Sequence, residues 1–292
     1  MVSIAKGELP VGLDLGSSAH EITPELVRDY IDGVDDGNPW YTGGSPFGAP
    51  IAPALLLHSE VYRYDEWYLP NVWGNLHARQ EWELFAPITV SDAVTTRSTI
   101  VDRYIKRNRD YVVNEVQVSS ADGRLLNRGR THQSFLLDES KQGLAVDKER
   151  EKSSARRFEI GEGDVEETIE PLEKTVTLEM CRAFSPGRSY HNDVEAAKKL
   201  GFPDIVVQGM MPICFVSELM TRRFGEGWFA GGRMDVRLVN VLWGGDGGAV
   251  VRGVVREFTP EGARRRAQCE VWVEKQDGTK VIVGAASAVV NG

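Results

Sequence analysis

His191 is the side chain with the clearest capacity for chemistry, and it lies in a polar stretch, GRSYHNDVEAAKKLGFPDIVVQGM, over residues 187–210. An unperturbed imidazole has a pKa of about 6.5, so it can both accept and donate a proton near neutral pH. Asp193 follows two residues later and could orient the imidazole. It also stands where the N-cap of the short helical run VEAAKKLG is expected. The residues alone leave two interpretations open: an acid/base site, or the polar start of a helix.

A second polar stretch, DGNPWY, contains Asp36, Asn38 and Tyr41. Carboxylate and amide side chains can act on a substrate. The pattern Asp-x-Asn-Pro is equally typical of a turn, because Asp and Asn bond to their own backbone and proline has a preset φ. Tyr41 could donate a hydrogen bond to a ligand or simply pack.

The other histidines give weaker signals. His58 falls in an apolar segment and is predicted to be a core residue, and His77 precedes a strand. His20 and His132 have no acidic partner at a useful spacing along the chain. No pair of histidines has the spacing of a metal site, so we predict no metal.

An internal repeat indicates which elements position these residues. The segments RQEWELFAPITVSD (79–92) and RMDVRLVNVLWGGD (233–246) share an Arg, an acid two residues later and a final Asp, at an offset of 154 residues. Asp-Gly pairs recur downstream at 122–123 and 277–278. Because Asp-Gly favours hairpin turns between alternating strands, each half is predicted to contain an antiparallel sheet.

Each half also contains an apolar segment, at 49–62 and 209–224, that predicts a helix enclosed by its sheet. The predicted strands cover 79–90, 95–105, 110–120 and 124–137 in the first half, and 233–243, 248–258, 264–275 and 279–290 in the second. The sequence therefore predicts an α+β fold in which one helix is wrapped by a curled antiparallel sheet, twice.

The predicted domain organisation follows the repeat. Residues 1–137 form an N-terminal unit and 172–292 a C-terminal unit, while the charge-dense segment 138–171 forms a surface linker. A sheet with open edges tends to pair with another copy, so we expect a homodimer or a higher homo-oligomer.

Composition narrows the class of protein. The chain of 292 residues is 41% hydrophobic, enough for a sizeable core, and its net charge of -9 argues against a nucleic-acid-binding protein. Three scattered cysteines without a CxxC pair are expected to be reduced core thiols. No apolar run approaches the roughly 20 residues of a membrane span, and the N-terminus lacks a signal-peptide pattern. We therefore expect a soluble cytoplasmic protein that does not bind membranes.

Together, the repeat and the two polar stretches resemble the MaoC-like dehydratases of the double hot-dog type. This family includes (R)-specific enoyl-CoA hydratases and 3-hydroxyacyl-thioester dehydratases. Its signature reads Asp, any residue, Asn, Pro, an aliphatic residue, His, any residue, Asp. The N-terminal half keeps Asp36 and Asn38 but has Tyr41 at the histidine position. The C-terminal half keeps His191 but has Pro186 at the first Asp position.

The resemblance implies an activity and a set of site residues. It implies the reversible addition of water to a 2-enoyl thioester, with an acyl-CoA or carrier-bound thioester as substrate and no cofactor. The implied catalytic residues are His191, Asp36 and Gly209, the last as a backbone N–H donor at a helix N-terminus. The implied substrate-binding residues are Asn38, Tyr41, Arg188, Gln208, Trp73 and Trp228. Of these, Arg188 could hold a ligand carboxylate or a CoA phosphate, and the tryptophans form an acyl-pocket wall or pack between the halves.

Three functional hypotheses remain at this stage. The first is an acyl thioester hydratase or dehydratase. The second is a hydratase of a branched or dicarboxylic acyl-CoA, for which Arg188 and the altered Asp position would suit the substrate. The third is a catalytically degenerate acyl-CoA-binding or partner subunit of a hydratase complex, because neither half carries the whole signature.

Overall fold

A computed structural model describes residues 9–64, 67, 75–107, 109–136 and 158–290. Within them, antiparallel strands form one sheet in the order β1-β3-β4-β5-β2-β7-β10-β9-β8-β6. The strands are β1 (Asp14–Glu21), β2 (Leu76–Leu84), β3 (Ala93–Lys106), β4 (Arg109–Ser120), β5 (Leu125–Leu136), β6 (Glu167–Thr175), β7 (Arg233–Leu238), β8 (Gly248–Glu261), β9 (Arg264–Glu274) and β10 (Lys280–Val290). The α-helices are α1 (Pro24–Val34), α2 (Leu178–Phe184), α3 (Val194–Lys199), α4 (Met210–Phe224) and α5 (Glu226–Phe229).

The sheet has an internal two-fold relation at the pairing of β2 with β7. Glu81 and Asp235, which are equivalent at the 154-residue offset of the repeat, lie directly opposite each other across this seam. Arg79 reinforces the seam by donating from Nε and Nη2 to the two carboxylate oxygens of Asp235, each at 2.6 Å. The strand order on one side of the seam repeats that on the other, which confirms the predicted double hot-dog fold.

Helix α4 is the enclosed helix of the C-terminal half. Its side chains are buried on all sides apart from Arg222 and Arg223 in the last turn. The helix begins after Gly209 and ends at Gly225, whose φ of 50° is a conformation that favours glycine. The helix predicted at 209–224 is therefore confirmed.

The helix predicted at 49–62 is wrong. This segment consists of turns followed by a short 3-10 helix, His58–Tyr62. Pro50 and Pro53 lack an N–H, and proline also disfavours a helical conformation in the residue before it. Ile51 instead forms an isolated bridge with Thr89. The apolar character of the segment correctly indicated burial but not helical structure.

Two edge strands, β1 and β6, and three helices, α1, α2 and α5, lie outside the predicted elements. Strand β1 and helix α1 precede the first predicted element, and α1 starts at an N-cap where Thr23 accepts from the backbone N of Leu26 at 3.2 Å. Strand β6 begins at Glu167, inside the range assigned to the linker. Residues 138–157 of that range lie outside the described residues. Helices long and apolar enough to cross a membrane do not occur in the described part of the chain.

Candidate active site

His191 lies in the loop between α2 and α3, which side-chain caps hold in place. The amide of Asn192 donates to the carbonyl oxygens of Ser185 and Gly187, the latter at 2.6 Å. Asp193 accepts from the backbone N of Ala196 at 2.7 Å and forms the N-cap of α3. The N-cap role predicted for Asp193 is thus confirmed, and its carboxylate is directed to the helix start.

The imidazole of His191 is held in one tautomer. Its Nδ1 lies 2.6 Å from the carbonyl oxygen of Val206. Because a carbonyl only accepts, Nδ1 carries the hydrogen and Nε2 has a free lone pair. The Tyr190 ring covers the imidazole, with 4.0 Å between ring centroids. Burial lowers the pKa of His191 to about 4, although the bond to Val206 acts in the opposite direction. The imidazole is therefore neutral at pH 7.

The segment that bonds His191 continues directly to the N-terminus of α4. Three residues after Val206, Gly209 precedes the first helical residue, with φ -60° and ψ -24°. The side-chain oxygen of Gln208 accepts from the backbone N of Met210 at 2.7 Å, and its amide also bonds the hydroxyl of Tyr62. Among the described residues, none accepts a hydrogen bond from the Gly209 N–H. This N–H points from the positive end of a helix dipole, as an oxyanion-binding donor would.

Asp36 is not brought to His191. It is only 4% exposed and accepts a hydrogen bond from the hydroxyl of Tyr41 at 2.9 Å. Its electrostatic neighbours are Lys174 and Glu218. Glu218 lies nine residues beyond Gly209, a distance of about 13 Å along a helix rising 1.5 Å per residue. Burial raises the pKa of Asp36, which Tyr41, Lys174 and Arg222 partly offset.

Asn38 and Tyr41 belong to the same buried region. The side-chain oxygen of Asn38 accepts from the backbone N of Trp40 at 3.0 Å and caps the 3-10 helix Pro39–Tyr41. Tyr41 is 3% exposed. The turn interpretation of DGNPWY is therefore confirmed, and the buried side chains of Asp36 and Tyr41 bond each other.

Tyr41→Phe should destabilise the fold by about 1–3 kcal/mol, because it leaves a buried oxygen of Asp36 without its donor. Tyr64→Phe is the matched control, since it removes only a 3.2 Å bond to Ser18 in a partly exposed position. Urea unfolding of the two variants measures the difference. Equal free energies of unfolding would show that the Asp36–Tyr41 bond does not stabilise this region.

The remaining predicted binding residues are dispersed. The side chain of Arg188 is 65% exposed and pairs with Asp193 through Nε at 2.7 Å. Trp228 is fully buried and donates to the hydroxyl of Ser217 at 3.0 Å. Its neighbour Phe229 contacts the rings of Trp40 and Phe47, which fits packing between the halves. Trp73 lies outside the described residues.

Three residues at the site were not among the predicted ones: Tyr62, His77 and Tyr190. Tyr62 bonds Gln208, Tyr190 covers His191, and His77 lies beside Gly209. Tyr62 and His77 stand at the two ends of the stretch 62–77, in which only Trp73 was predicted to contact substrate. No spacing rule along the chain connects them to α4.

The other histidines occupy different environments. His58 is a core residue, as predicted, with its ring stacked on Phe184 at 4.3 Å. His77 lies inside β2 rather than before a strand. His20 and His132 have no acidic residue at a useful spacing along the chain, but in the fold His20 lies 2.9 Å from Glu60 and His132 lies 2.8 Å from Glu81. Spacing along the chain does not reveal neighbours on adjacent strands. Groups of three or more potential metal ligands do not occur among the described residues.

Comparison with known proteins agrees with this architecture. Residues 10–127 match a family described as FAS1-like, dehydratase domain region. No curated protein gives a significant match. Among solved structures, a MaoC-like dehydratase shares 15% identity and a TM-score of 0.74, with 98% of this chain and 99% of that chain covered.

Two further structures are similar. A MaoC-like dehydratase from Phytophthora capsici has 13% identity and a TM-score of 0.69, covering 96% of this chain and 97% of the other. The peroxisomal multifunctional enzyme type 2 from Drosophila melanogaster has 16% identity and a TM-score of 0.66, covering 94% of this chain and 48% of the enzyme. The N-terminal half of the chain thus matches a dehydratase-region family by sequence, and the whole chain has the double hot-dog fold of the MaoC-like dehydratases.

Proposed function

We propose that this protein is an acyl thioester hydratase/dehydratase that reversibly adds water to a 2-enoyl thioester, with acyl-CoA as the substrate class. One observation carries the proposal. At one end, the segment from Val206 to Gly209 bonds the imidazole of His191. At the other end, at the start of α4, it has the Gly209 N–H, which has no acceptor in the part of the chain that the structure describes. A base and an oxyanion donor are the two groups that this reaction requires most.

In the hydration direction, the water oxygen bonds to Cβ of the enoyl group while a water proton passes to Nε2 of His191. The π electrons of the double bond move toward the thioester oxygen, where the Gly209 N–H stabilises the enolate. The His191 imidazolium, stabilised by the Val206 carbonyl, then returns the proton to Cα. The net change is the addition of one water, and the reverse sequence is dehydration.

This scheme needs only one titrating side chain, so it accommodates Pro186 at the first Asp position of the signature. The same imidazole takes the proton from water and delivers it to Cα. Asp36 does not enter the scheme, because it is buried with Tyr41 against a different part of α4. Both groups that act directly in this scheme, His191 and the Gly209 N–H, therefore belong to the C-terminal half.

The proposal is tested by incubating the protein with crotonyl-CoA and longer 2-enoyl-CoAs and following the absorbance of the conjugated thioester. We expect the absorbance to fall until hydration reaches equilibrium, and to rise when a 3-hydroxyacyl-CoA is supplied instead. Binding of a CoA ligand without turnover of any enoyl or 3-hydroxyacyl thioester would contradict the proposal. It would support the alternative of a non-catalytic acyl-CoA-binding or partner subunit. The burial of the hydrogen-bonded Asp36–Tyr41 pair favours this alternative.

The pH dependence provides a separate prediction. His191 must be neutral to accept a proton, and its pKa is lowered to about 4. We therefore expect kcat/KM to stay nearly constant from pH 7.5 to about 5.5 and to fall only toward pH 4. An imidazole with an ordinary pKa of about 6.5 would instead give a fall near pH 6.5. Initial rates in overlapping buffers, with folding checked by circular dichroism at each pH, measure this. An acidic limb centred near pH 6.5 would contradict the environment assigned to His191.

A further inference from the structure

His77 lies against the N-terminus of α4, beside Gly209. Its Nδ1 is buried and has no hydrogen-bond partner among the described residues. A Cβ built on Gly209 would stand 3.3 Å from this Nδ1 and 2.7 Å from Cδ2 of Leu238. A buried polar atom without a partner is costly, so its position beside an unpaired N–H calls for an explanation.

An irregularity in β2 directs His77 toward α4. Opposite β5, His77 pairs with Gln133 and Arg79 pairs with His132, so the register shifts by one residue between His77 and Arg79. Side chains alternate along a strand, and Gln80 and Trp82 face the interior. Without the extra residue His77 would point to the opposite face of the sheet. Bulges of this kind re-aim side chains beside functional sites.

A chain of hydrogen bonds determines the tautomer of His77. Thr131 donates its hydroxyl to the side-chain oxygen of Gln80 at 2.7 Å, and the Gln80 amide donates to the carbonyl of Glu81 at 3.1 Å. The oxygen of Gln80 therefore faces Nε2 of His77, 3.1 Å away, and Nε2 carries the hydrogen. Nδ1 is left with a lone pair. Burial lowers the pKa of His77 to about 4, although bonds to Gln80 and to the backbone of Arg79 act in the opposite direction, so the ring is neutral at pH 7.

Nδ1 of His77 and Cδ2 of Leu238 lie beside Gly209, on the side that a Cβ would occupy. At a φ of -60°, the N–H of a residue and its Cβ position lie on the same side of the N–Cα bond. Nδ1 lies 3.3 Å from that Cβ position, on the side of Gly209 toward which its N–H is directed. A thioester oxygen at the N–H would meet a second acceptor there, and two acceptors repel each other unless a donor lies between them.

We propose that His77 is a positioning residue of this site, whose Nδ1 accepts a hydrogen bond from a water that donates its other hydrogen to the thioester oxygen held by Gly209. The inference rests on the proposed function for its substrate. Water has two donors, and a water-mediated bond is nearly as favourable as a direct one. The oxyanion then has two donors, the Gly209 N–H and the water held by His77.

Two variants separate this role from a structural one. In His77→Asn, the side-chain oxygen stands close to the position of Nδ1, but the bond to Gln80 is lost. In His77→Gln, a terminal amide can replace Nε2 in the bond to Gln80, but the acceptor near Gly209 is lost. If Nδ1 acts as proposed, the Asn variant is the more active; if His77 only supports the sheet through Gln80, the Gln variant is.

Two readouts are measured on the full chain: kcat/KM for crotonyl-CoA, and the infrared carbonyl frequency of bound butyryl-CoA labelled with carbon-13 at the thioester. We expect His77→Gln to lower kcat/KM by about 10- to 100-fold, less than the loss of a direct oxyanion donor. We expect it also to reduce the carbonyl shift seen with the wild type. His77→Asn should retain most of both, and thermal melting confirms that each variant is folded.

The outcomes for this inference and for the proposed function are distinct. Turnover by the wild type with equal rates and carbonyl shifts in His77→Gln overturns the inference and leaves the proposed function intact. A carbonyl shift that depends on an acceptor at residue 77, without turnover of any enoyl thioester, supports the inference and contradicts the hydratase. Absence of a carbonyl shift in the wild type, or a better-performing Gln variant, overturns the inference.

Discussion

Replacing His191 by asparagine should lower kcat/KM for a 2-enoyl-CoA by about 10³-fold, within the usual range for loss of a general acid–base group. Asparagine has an amide nitrogen close to the position of Nδ1 and can still donate to the Val206 carbonyl, so the loop should keep its conformation. It has no group at the position of Nε2. The variant therefore removes the proposed proton carrier while preserving the bond that holds it.

His132→Asn is the matched control for this experiment. His132 is also buried, and its ring bonds Glu81 at 2.8 Å and Tyr104 at 3.2 Å, two residues that the proposed reaction does not use. We expect its kcat/KM to stay within about threefold of the wild type even if its melting temperature falls. The dissociation constant for butyryl-CoA should change little in His191→Asn, because the change acts on the chemical step. A His191→Asn variant with more than a tenth of wild-type kcat/KM would exclude His191 as the proton carrier.

The strands of this protein were predictable because their signals are local. Alternating apolar residues and the Asp-Gly turns mark β3, β4, β5, β8, β9 and β10 to within a few residues. The edge strands were missed for the same reason. Strand β1 contains small and polar residues, and β6 carries alternating glutamates with a proline, so neither shows a continuous apolar pattern.

The candidate site was predictable only where one continuous segment builds it. His191, Gln208 and Gly209 lie in one stretch of sequence, and the structure joins them through Val206. The separation of Asp36 from them depends on tertiary packing, since the group beside it, Lys174, is more than a hundred residues away in sequence. His77 depends on a one-residue shift in strand register, which no pattern in β2 reveals.

Lys174 explains why the polar stretch DGNPWY has a structural role. Its ammonium group is buried, donates to the carbonyl oxygens of Val34 and Asp35 at 2.9 and 2.7 Å, and pairs with Glu218 at 2.5 Å. A cation at the C-terminus of α1 satisfies carbonyls that the helix leaves unpaired and complements the helix dipole. The same side chain therefore links strand β6, the end of α1 and the middle of α4.

Lys174→Met should lower the free energy of unfolding by about 3 kcal/mol at pH 7.5, the lower end of the range for breaking a buried ion pair. We choose the lower end because Arg222 still pairs with Glu218 at 2.6 Å. Lys198→Met, which removes an exposed pair with Glu195, should change stability by no more than about 0.5 kcal/mol. Urea unfolding of both variants and the wild type gives the comparison.

The effect of Lys174→Met should grow with pH, and this identifies its cause. Burial already raises the pKa of Glu218, and Lys174 is one of the groups that oppose this shift. Without Lys174 the pKa of Glu218 in the folded state rises further, so the variant takes up a proton on folding. Its free energy of unfolding therefore falls as the pH rises above the pKa of Glu218 in the unfolded chain, by at most about 1.4 kcal/mol per pH unit. The loss of stability relative to the wild type should therefore be smaller at pH 5 than at pH 7.5.

This deficit should also be smaller in Lys174→Met/Glu218→Gln, because the uncompensated charge of Glu218 is gone. A deficit that is independent of pH and unchanged in the double variant would show that Lys174 stabilises the fold through its packing and carbonyl bonds rather than through its charge.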